Sequence, residues 1–350
     1  MEEVAMYLRN AWYVAAWSDE IGDRPVGRVI LGEPVALYRN ADRLVVALED
    51  ACPHRKLPLS MGEVVGNQLR CGYHGLEFGA DGVCTRAPGL SRTPPNACVK
   101  PYPVAERYGL VWIWMGPAEL ADPGAIIPVA HYDDPAWGIN RGPAMDVDCS
   151  YLYMTDNLLD PSHVTYVHKT SLGNVATADV PVRMSVVENG VLASRWMLDC
   201  ELAPFFIPYV SFTGRADRLQ HYEVQYPSHA IIRDIIAPAN SGAPNGILHP
   251  SVFLMDSYNF VTPVTENTCR YFWFQVRNFR PDCKETSRAL TDDFIKAFKE
   301  DLVVLAAVDR GMTNKRTPNT DIETDAAPLR FRRVLKKMID AERALQPVLA

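Results

Sequence analysis

Cys52-Pro53-His54, sixteen intervening residues, then Cys71-Gly72-Tyr73-His74-Gly75: the reading of this stretch decides the fold of the first half of the chain. Thiolates and imidazoles together suit zinc, copper or iron–sulfur centres. Here they come as a Cys-x-His pair and a Cys-x-x-His pair, the two pairs far enough apart to lie on separate loops. Upstream, residues 28–31, 34–38 and 44–48 are short β-rich runs broken by turn residues. Downstream, residues 108–116 (Tyr-Gly-Leu-Val-Trp-Ile-Trp-Met-Gly) read as a further strand whose indoles belong to a core. The pattern is that of a small all-β domain carrying a metal centre on two loops.

Two Cys and two His form the ligand set of a Rieske [2Fe–2S] centre, in which thiolates hold one iron and imidazoles the other. Zinc with a Cys2His2 set is the competitor. Zinc modules usually space their pairs more widely, and Cys-x-His is tight for them. The other cysteines (84, 98, 149, 200, 269 and 283) are scattered through 350 residues, and no export signal follows the acidic start. Reduced thiols in a cytoplasmic protein are expected. A net charge of −7 argues against a nucleic-acid or anionic-membrane partner, and no apolar run is long enough to span a bilayer.

The second half centres on Asp156-Asn157-Leu158-Leu159-Asp160-Pro161-Ser162-His163-Val164-Thr165-Tyr166-Val167-His168. On a helix Asp160 and His163 would share a face, and His168 would lie well round from His163. Both imidazoles could meet one ion if the helix ended near Thr165–Tyr166. A carboxylate from elsewhere would then complete a facial triad with open positions. Residues 287–310 read as an amphipathic helix with Phe294, Ala297, Phe298, Asp301, Leu302 and Leu305 on its apolar stripe. A carboxylate buried there unpaired is costly, so Asp301 needs either a metal or a basic partner. Alternating runs at 182–187, 192–197, 221–226, 230–235, 252–262 and 271–276 predict an antiparallel sheet between these helices. The fold class is therefore α+β. An N-terminal all-β cluster domain covers residues 1–138, and residues 139–350 form a second domain of antiparallel sheet flanked by helices. Phe206, Asn259 and Trp273 are candidate pocket linings.

Along nearly its whole length the chain resembles the Rieske non-haem iron oxygenases, in particular their vanillate and dicamba O-demethylase branch. Residues 9–15, 52–55, 71–77, 121–124, 156–160 and 277–281 carry the resemblance. It implies that residues 139–350 are a catalytic domain of the helix-grip type, that Cys52, His54, Cys71 and His74 bind the cluster and that His163, His168 and Asp301 bind Fe(II). Asp160 becomes the residue bridging an iron-ligand histidine to a cluster-ligand histidine of the next subunit of a head-to-tail homotrimer. Asn157, in the same matching stretch, joins it as a candidate catalytic residue. Leu57 and Gly72-Tyr73 stand where respiratory-type Rieske proteins carry a bracing disulfide, which implies a cluster without one.

The implied activity is O-demethylation of a methoxylated aromatic acid with O2. The electrons come from NADH through a separate reductase carrying flavin and a plant-type [2Fe–2S] cluster. Hydroxylation of an aromatic ring carbon or a benzylic methyl group is the alternative within the same chemistry. A Rieske electron carrier without its own catalysis is the alternative from another class.

Overall fold

The computed structural model describes residues 7–169, 171–173, 178–314 and 316–345. The described residues up to Ile127, with 262–266 and 341–345, form one compact unit. Pro128–Val261 and residues 267–340 form the second. The chain thus passes between units at 127/128, earlier than the expected division at 138/139.

In the first unit the strands are β1 (Trp12–Trp17), β2 (Val26–Ile30), β3 (Glu33–Arg39), β4 (Val45–Glu49), β5 (Glu63–Val65), β6 (Gln68–Arg70), β7 (Glu77–Phe78), β8 (Cys84–Arg86), β9 (Pro101–Tyr102), β10 (Val104–Arg107) and β11 (Leu110–Trp114). They make three antiparallel sheets, in the orders β1-β11-β10, β2-β3-β4-β9 and β5-β6-β7-β8. β11 is buried at every position, which explains why its sequence is an unbroken apolar run. Its indoles are core residues, and each satisfies its N–H: Trp112 donates to the Arg107 carbonyl and Trp114 to that of Pro117. The β5–β8 sheet escapes pattern reading because its strands are two or three residues long.

The second unit is built on β12 (Gly138–Arg141), β13 (Met145–Val147), α1 (Tyr151–Leu158), the one-turn α2 (Val164–Val167), β14 (Arg183–Val187), β15 (Gly190–Cys200), β16 (Ala216–Gln225), β17 (His229–Pro238), β18 (Phe253–Thr265, in this unit up to Val261), β19 (Thr268–Arg277), α3 (Lys284–Gly311) and α4 (Ala326–Leu345, in this unit up to Asp340). The sheet runs β12-β19-β18-β17-β16-β15-β14, with β13 also pairing β19. All six expected strands are present, and most are longer than the alternation indicated. β16 begins at Ala216 because it can run straight through Asp217 and Arg218. Arg218 is paired at 2.9 Å with Asp234 of the neighbouring β17, so a charged residue in mid-strand is satisfied there.

α3 buries Phe294, Ala297, Phe298, Asp301 and Leu305 of the stripe read from the sequence and extends it back through Thr286 and Leu290, whereas Leu302 is only half-buried. α4, which the sequence reading does not reach, buries Ala327, Phe331, Leu335 and Ile339 at four-residue steps. α1 stops at Leu158, so Asp160 and His163 do not share a helical face. Pro161 is the reason: it has no N–H to donate, and it disfavours helical backbone at Asp160 before it. No helix among the described residues is long and apolar enough to cross a membrane.

Two candidate metal centres

The four cluster candidates sit on two loops of the first unit, one after β4 and one between β6 and β7. The loops are built alike. The Cys52 N–H donates to the Leu57 carbonyl at 2.9 Å, and the Cys71 N–H to that of Leu76 at 2.8 Å. Each cysteine carbonyl then accepts from the N–H four residues on, that of Lys56 at 2.8 Å and that of Gly75 at 3.1 Å. Both closing residues have left-handed backbone, φ +59° at Lys56 and +72° at Gly75. Glycine adopts this freely, whereas lysine is held there against its preference.

These turns bury the sulfurs and expose the rings. Cys52 and Cys71 are each 2% exposed, packed among Leu59, Leu69 and Phe78, whereas His54 and His74 lie at the surface. The two imidazoles meet edge to face with centroids 4.4 Å apart, and Tyr73 leans on His74 at 3.9 Å. Burial, and then the adjacent Cys71 thiol, push the Cys52 thiol above its ordinary pKa. Two buried thiols side by side, with two imidazoles outside them, fit a cluster whose inner iron is held by sulfur and outer iron by nitrogen. All eight cysteines are free, so no disulfide braces these loops.

The second centre lies in the second unit. His163 caps the start of α2 and His168 its end, so a single helical turn separates them. Their rings stand edge to face, 5.4 Å apart. The turn can close because residue 173 is glycine: a Cβ there would lie 2.4 Å from the Val164 carbonyl oxygen and 2.9 Å from that of His168. Asp301 reaches in from α3, with Oδ1 3.2 Å from Nε2 of His168 and 3.6 Å from Nε2 of His163. The candidate ligand atoms of His163, His168 and Asp301 all lie within 4.8 Å of one another.

The far sides of the rings fix which nitrogen faces inward. Nδ1 of His163 lies 2.5 Å from the Asp160 carbonyl oxygen, which can only accept, so Nδ1 carries the proton. Nδ1 of His168 lies 2.8 Å from a Glu300 carboxylate oxygen and likewise donates. The neutral rings then turn both Nε2 lone pairs toward the Asp301 carboxylate. Three electron-rich atoms facing one another call for a cation. Burial alone would lower the His168 pKa, but the Asp301 and Glu300 carboxylates outweigh it and raise it, so positive charge is favoured at this point. Two imidazoles and one carboxylate suit mononuclear Fe(II).

Asn157, at the end of α1, donates to Asp301 Oδ1 at 3.2 Å and so helps to fix that carboxylate. Asp160 meets His163 within this chain through its backbone carbonyl, not its carboxylate. The carboxylate accepts from the Ser162 N–H and hydroxyl, both on Oδ1, and lines an open pocket on the α3–α4 side.

On the other side the triad faces a cavity walled by Leu158, Val164, Leu172, Ile232, Met255, Phe294 and Phe298. Its polar groups, besides Asn157 and the triad, are Arg218, Tyr222, Asp234 and Ser257. The pocket candidates Phe206, Asn259 and Trp273 do not line it. Phe206 lies behind it with the Arg218 guanidinium 4.4 Å above its ring. Asn259 is fully buried, its amide tied to Ser257 and to the Tyr271 hydroxyl. Trp273 packs on Phe298 and Phe294, outside the cavity wall. Glu300, Arg218 and Asp234 were missed: Glu300 lies off the apolar stripe, and the other two look like solvent-facing strand residues.

Residues 11–103 match the Rieske [2Fe-2S] domain family, and residues 147–341 match the vanillate O-demethylase oxygenase C-terminal domain family. The chain is 37% identical over 345 residues to the vanillate O-demethylase oxygenase subunit of Pseudomonas sp. (strain HR199 / DSM 7063), covering 96% of each chain. It is 36% identical over 342 residues to the iron-sulfur subunit of a toluene-4-sulfonate monooxygenase system of Comamonas testosteroni, covering 96% of this chain and 98% of the other. Among solved structures it superposes on dicamba monooxygenase bound to 3,6-dichlorosalicylic acid with a TM-score of 0.89 at 33% identity, covering 97% of this chain and 99% of that one.

Proposed function

The chain belongs to the Rieske non-haem iron oxygenases and is the terminal oxygenase of a multicomponent system; we propose that it O-demethylates a methoxylated aromatic acid of the vanillate kind. The observation that carries this reading is the cavity itself. Two Nε2 atoms and the Asp301 carboxylate converge at one end of a largely apolar chamber whose wall also holds the Arg218–Asp234 ion pair. Such a chamber suits a flat, largely apolar aromatic ring. The names of the relatives point the same way: vanillate, toluene-4-sulfonate and dicamba are all aromatic acids.

Cys52, Cys71, His54 and His74 would hold the cluster, and His163, His168 and Asp301 the iron. Bound there, the cluster supplies electrons singly and the iron supplies the activation of dioxygen. The chain's residues do the rest. Apolar walls exclude water, Asn157 steadies Asp301, and the carbonyl of Asp160 holds the His163 tautomer. Overall, an aryl methyl ether, O2, NADH and a proton give a phenol, formaldehyde, water and NAD+. The oxidised methoxy carbon leaves as formaldehyde when its hemiacetal collapses. The reductase is a separate protein with flavin and a plant-type [2Fe–2S] cluster, the oxygenase is a head-to-tail homotrimer, and the system is cytoplasmic.

The test is turnover with a surrogate reductase and NADH on a panel of methoxybenzoates, following formaldehyde and NADH together. Formaldehyde formed in step with NADH loss is the expected result. A product hydroxylated on the ring or on a benzylic methyl, without formaldehyde, would replace this reading with the hydroxylase one. Two irons per chain instead of three would leave only an electron carrier.

In the trimer, Asp160 serves as the bridge between cluster and iron, its carbonyl on His163 and its carboxylate facing the open pocket from which a cluster-ligand histidine of the next subunit would approach. Asp160→Asn keeps an acceptor for Ser162 and the same backbone carbonyl for His163, so iron content should stay at the parental level. Reoxidation of the reduced cluster in a single turnover, followed by its visible absorbance, should slow by about 10–100-fold. Product formation at the parental rate would remove Asp160 from the electron path.

A further inference from the structure

Glu300 and Asp301 are consecutive on α3, yet both reach the same imidazole. Asp301 Oδ1 lies 3.2 Å from Nε2 of His168, and Glu300 Oε2 lies 2.8 Å from its Nδ1. His168 is therefore clamped between two neighbouring carboxylates of one helix, one at each ring nitrogen. The ring is 2% exposed, while the Glu300 side chain keeps 29% of its surface. The Ser171 hydroxyl, three residues beyond the ring, also donates to Oε2 at 3.4 Å. His163 has no such partner: its Nδ1 is met by a neutral carbonyl. The two histidines of the triad are thus electronically unlike.

We propose that Glu300 is the positioning residue of the mononuclear iron site, an assignment that rests on the triad holding iron. Its carboxylate fixes the tautomer and plane of His168 and, by accepting a charge-assisted hydrogen bond at Nδ1, makes Nε2 the stronger of the two imidazole donors. Glu300 does not touch the iron; it acts through His168. Because it shares a helix with Asp301, any shift of α3 moves the ligand carboxylate and the orienting carboxylate together.

The experiment uses the full-length protein with its cluster intact. The mononuclear site is emptied with a chelator and titrated with Fe(II) against a competing chelator, and the cluster's visible spectrum is recorded throughout. Parent, Glu300→Ala, Glu300→Gln and His168→Ala are compared. Glu300→Ala should bind Fe(II) about 10–100-fold more weakly with an unchanged cluster spectrum. Glu300→Gln keeps an acceptor oxygen at the same reach and loses only the charge, so its affinity should lie nearer the parent. Refilling with Co(II) adds a second readout, since its ligand-field bands should shift in Glu300→Ala and return toward the parent in Glu300→Gln. Parental affinity and parental bands in Glu300→Ala, with both lost in His168→Ala, would reduce Glu300 to a surface ion pair. A parent that binds no Fe(II) outside its cluster would overturn the iron reading, and this one with it. If Glu300→Ala also lost the cluster spectrum, Glu300→Gln would decide: weak binding there, with an intact spectrum, overturns orientation by hydrogen bonding.

Discussion

His168→Ala should carry two irons per chain where the parent carries three, and its turnover should fall to the background of the assay. The visible spectrum of its cluster should be unchanged. His168 has the most enclosed ring of the triad, and both its nitrogens are engaged. Alanine removes one of three donors and leaves Asp301, buried on the apolar stripe of α3, with less to hold. Because all four cluster candidates lie in the other compact unit, the cluster has no reason to respond. Metal analysis, absorbance and NADH-coupled turnover on one preparation settle the matter. A variant that keeps both its third iron and its turnover would dissolve the triad.

Arg218→Met should cost about 3–5 kcal/mol, because it strands a carboxylate inside the second unit. Asp234 is 7% exposed and Arg218 5%, so neither can turn to solvent when its partner goes. For a unit of this size the loss corresponds to roughly 6–20 °C in Tm. The pH dependence follows from the state of Asp234. Burial raises its pKa, and Arg218, the main opposing influence, is absent from the variant. A carboxyl whose folded pKa lies above its unfolded one stabilises the fold most when protonated, and that stability is lost as pH rises through the folded value. The Tm gap between parent and variant should therefore narrow as pH falls from about 8 to about 5. The double variant Arg218→Met/Asp234→Leu should recover much of the loss, since no charge is left unpaired. A single variant that melts with the parent would mean that water reaches Asp234.

The metal centres were legible because their chemistry is written in rare residue types at tight spacing. Cys52, His54, Cys71 and His74 need no three-dimensional information to be grouped. His163 and His168 became a pair once the cluster made redox iron plausible, and Asp301 declared itself as a carboxylate on an apolar stripe. The walls of the cavity were not legible. β18 is buried on both faces, so its alternation does not separate the residue that faces the cavity from the one that faces other core. Ser257 lines the chamber, while Asn259, one step farther on the same face, spends its amide on Ser257 and Tyr271. Glu300 was hidden for the opposite reason: it sits where a helix normally presents charge to water. What singles it out is the ring it holds, and that ring is 132 positions away in sequence.

The two cluster loops trace the same turn, but one closes it with glycine and the other with lysine. Backbone conformation matches while surface chemistry does not. Past one imidazole the chain presents the long cationic stem of exposed Lys56, with exposed Arg55 beside it; past the other it presents bare backbone at Gly75. The rim around the exposed rings thus has unlike lips, one charged and one uncharged. A molecule arriving to exchange an electron meets a left and a right.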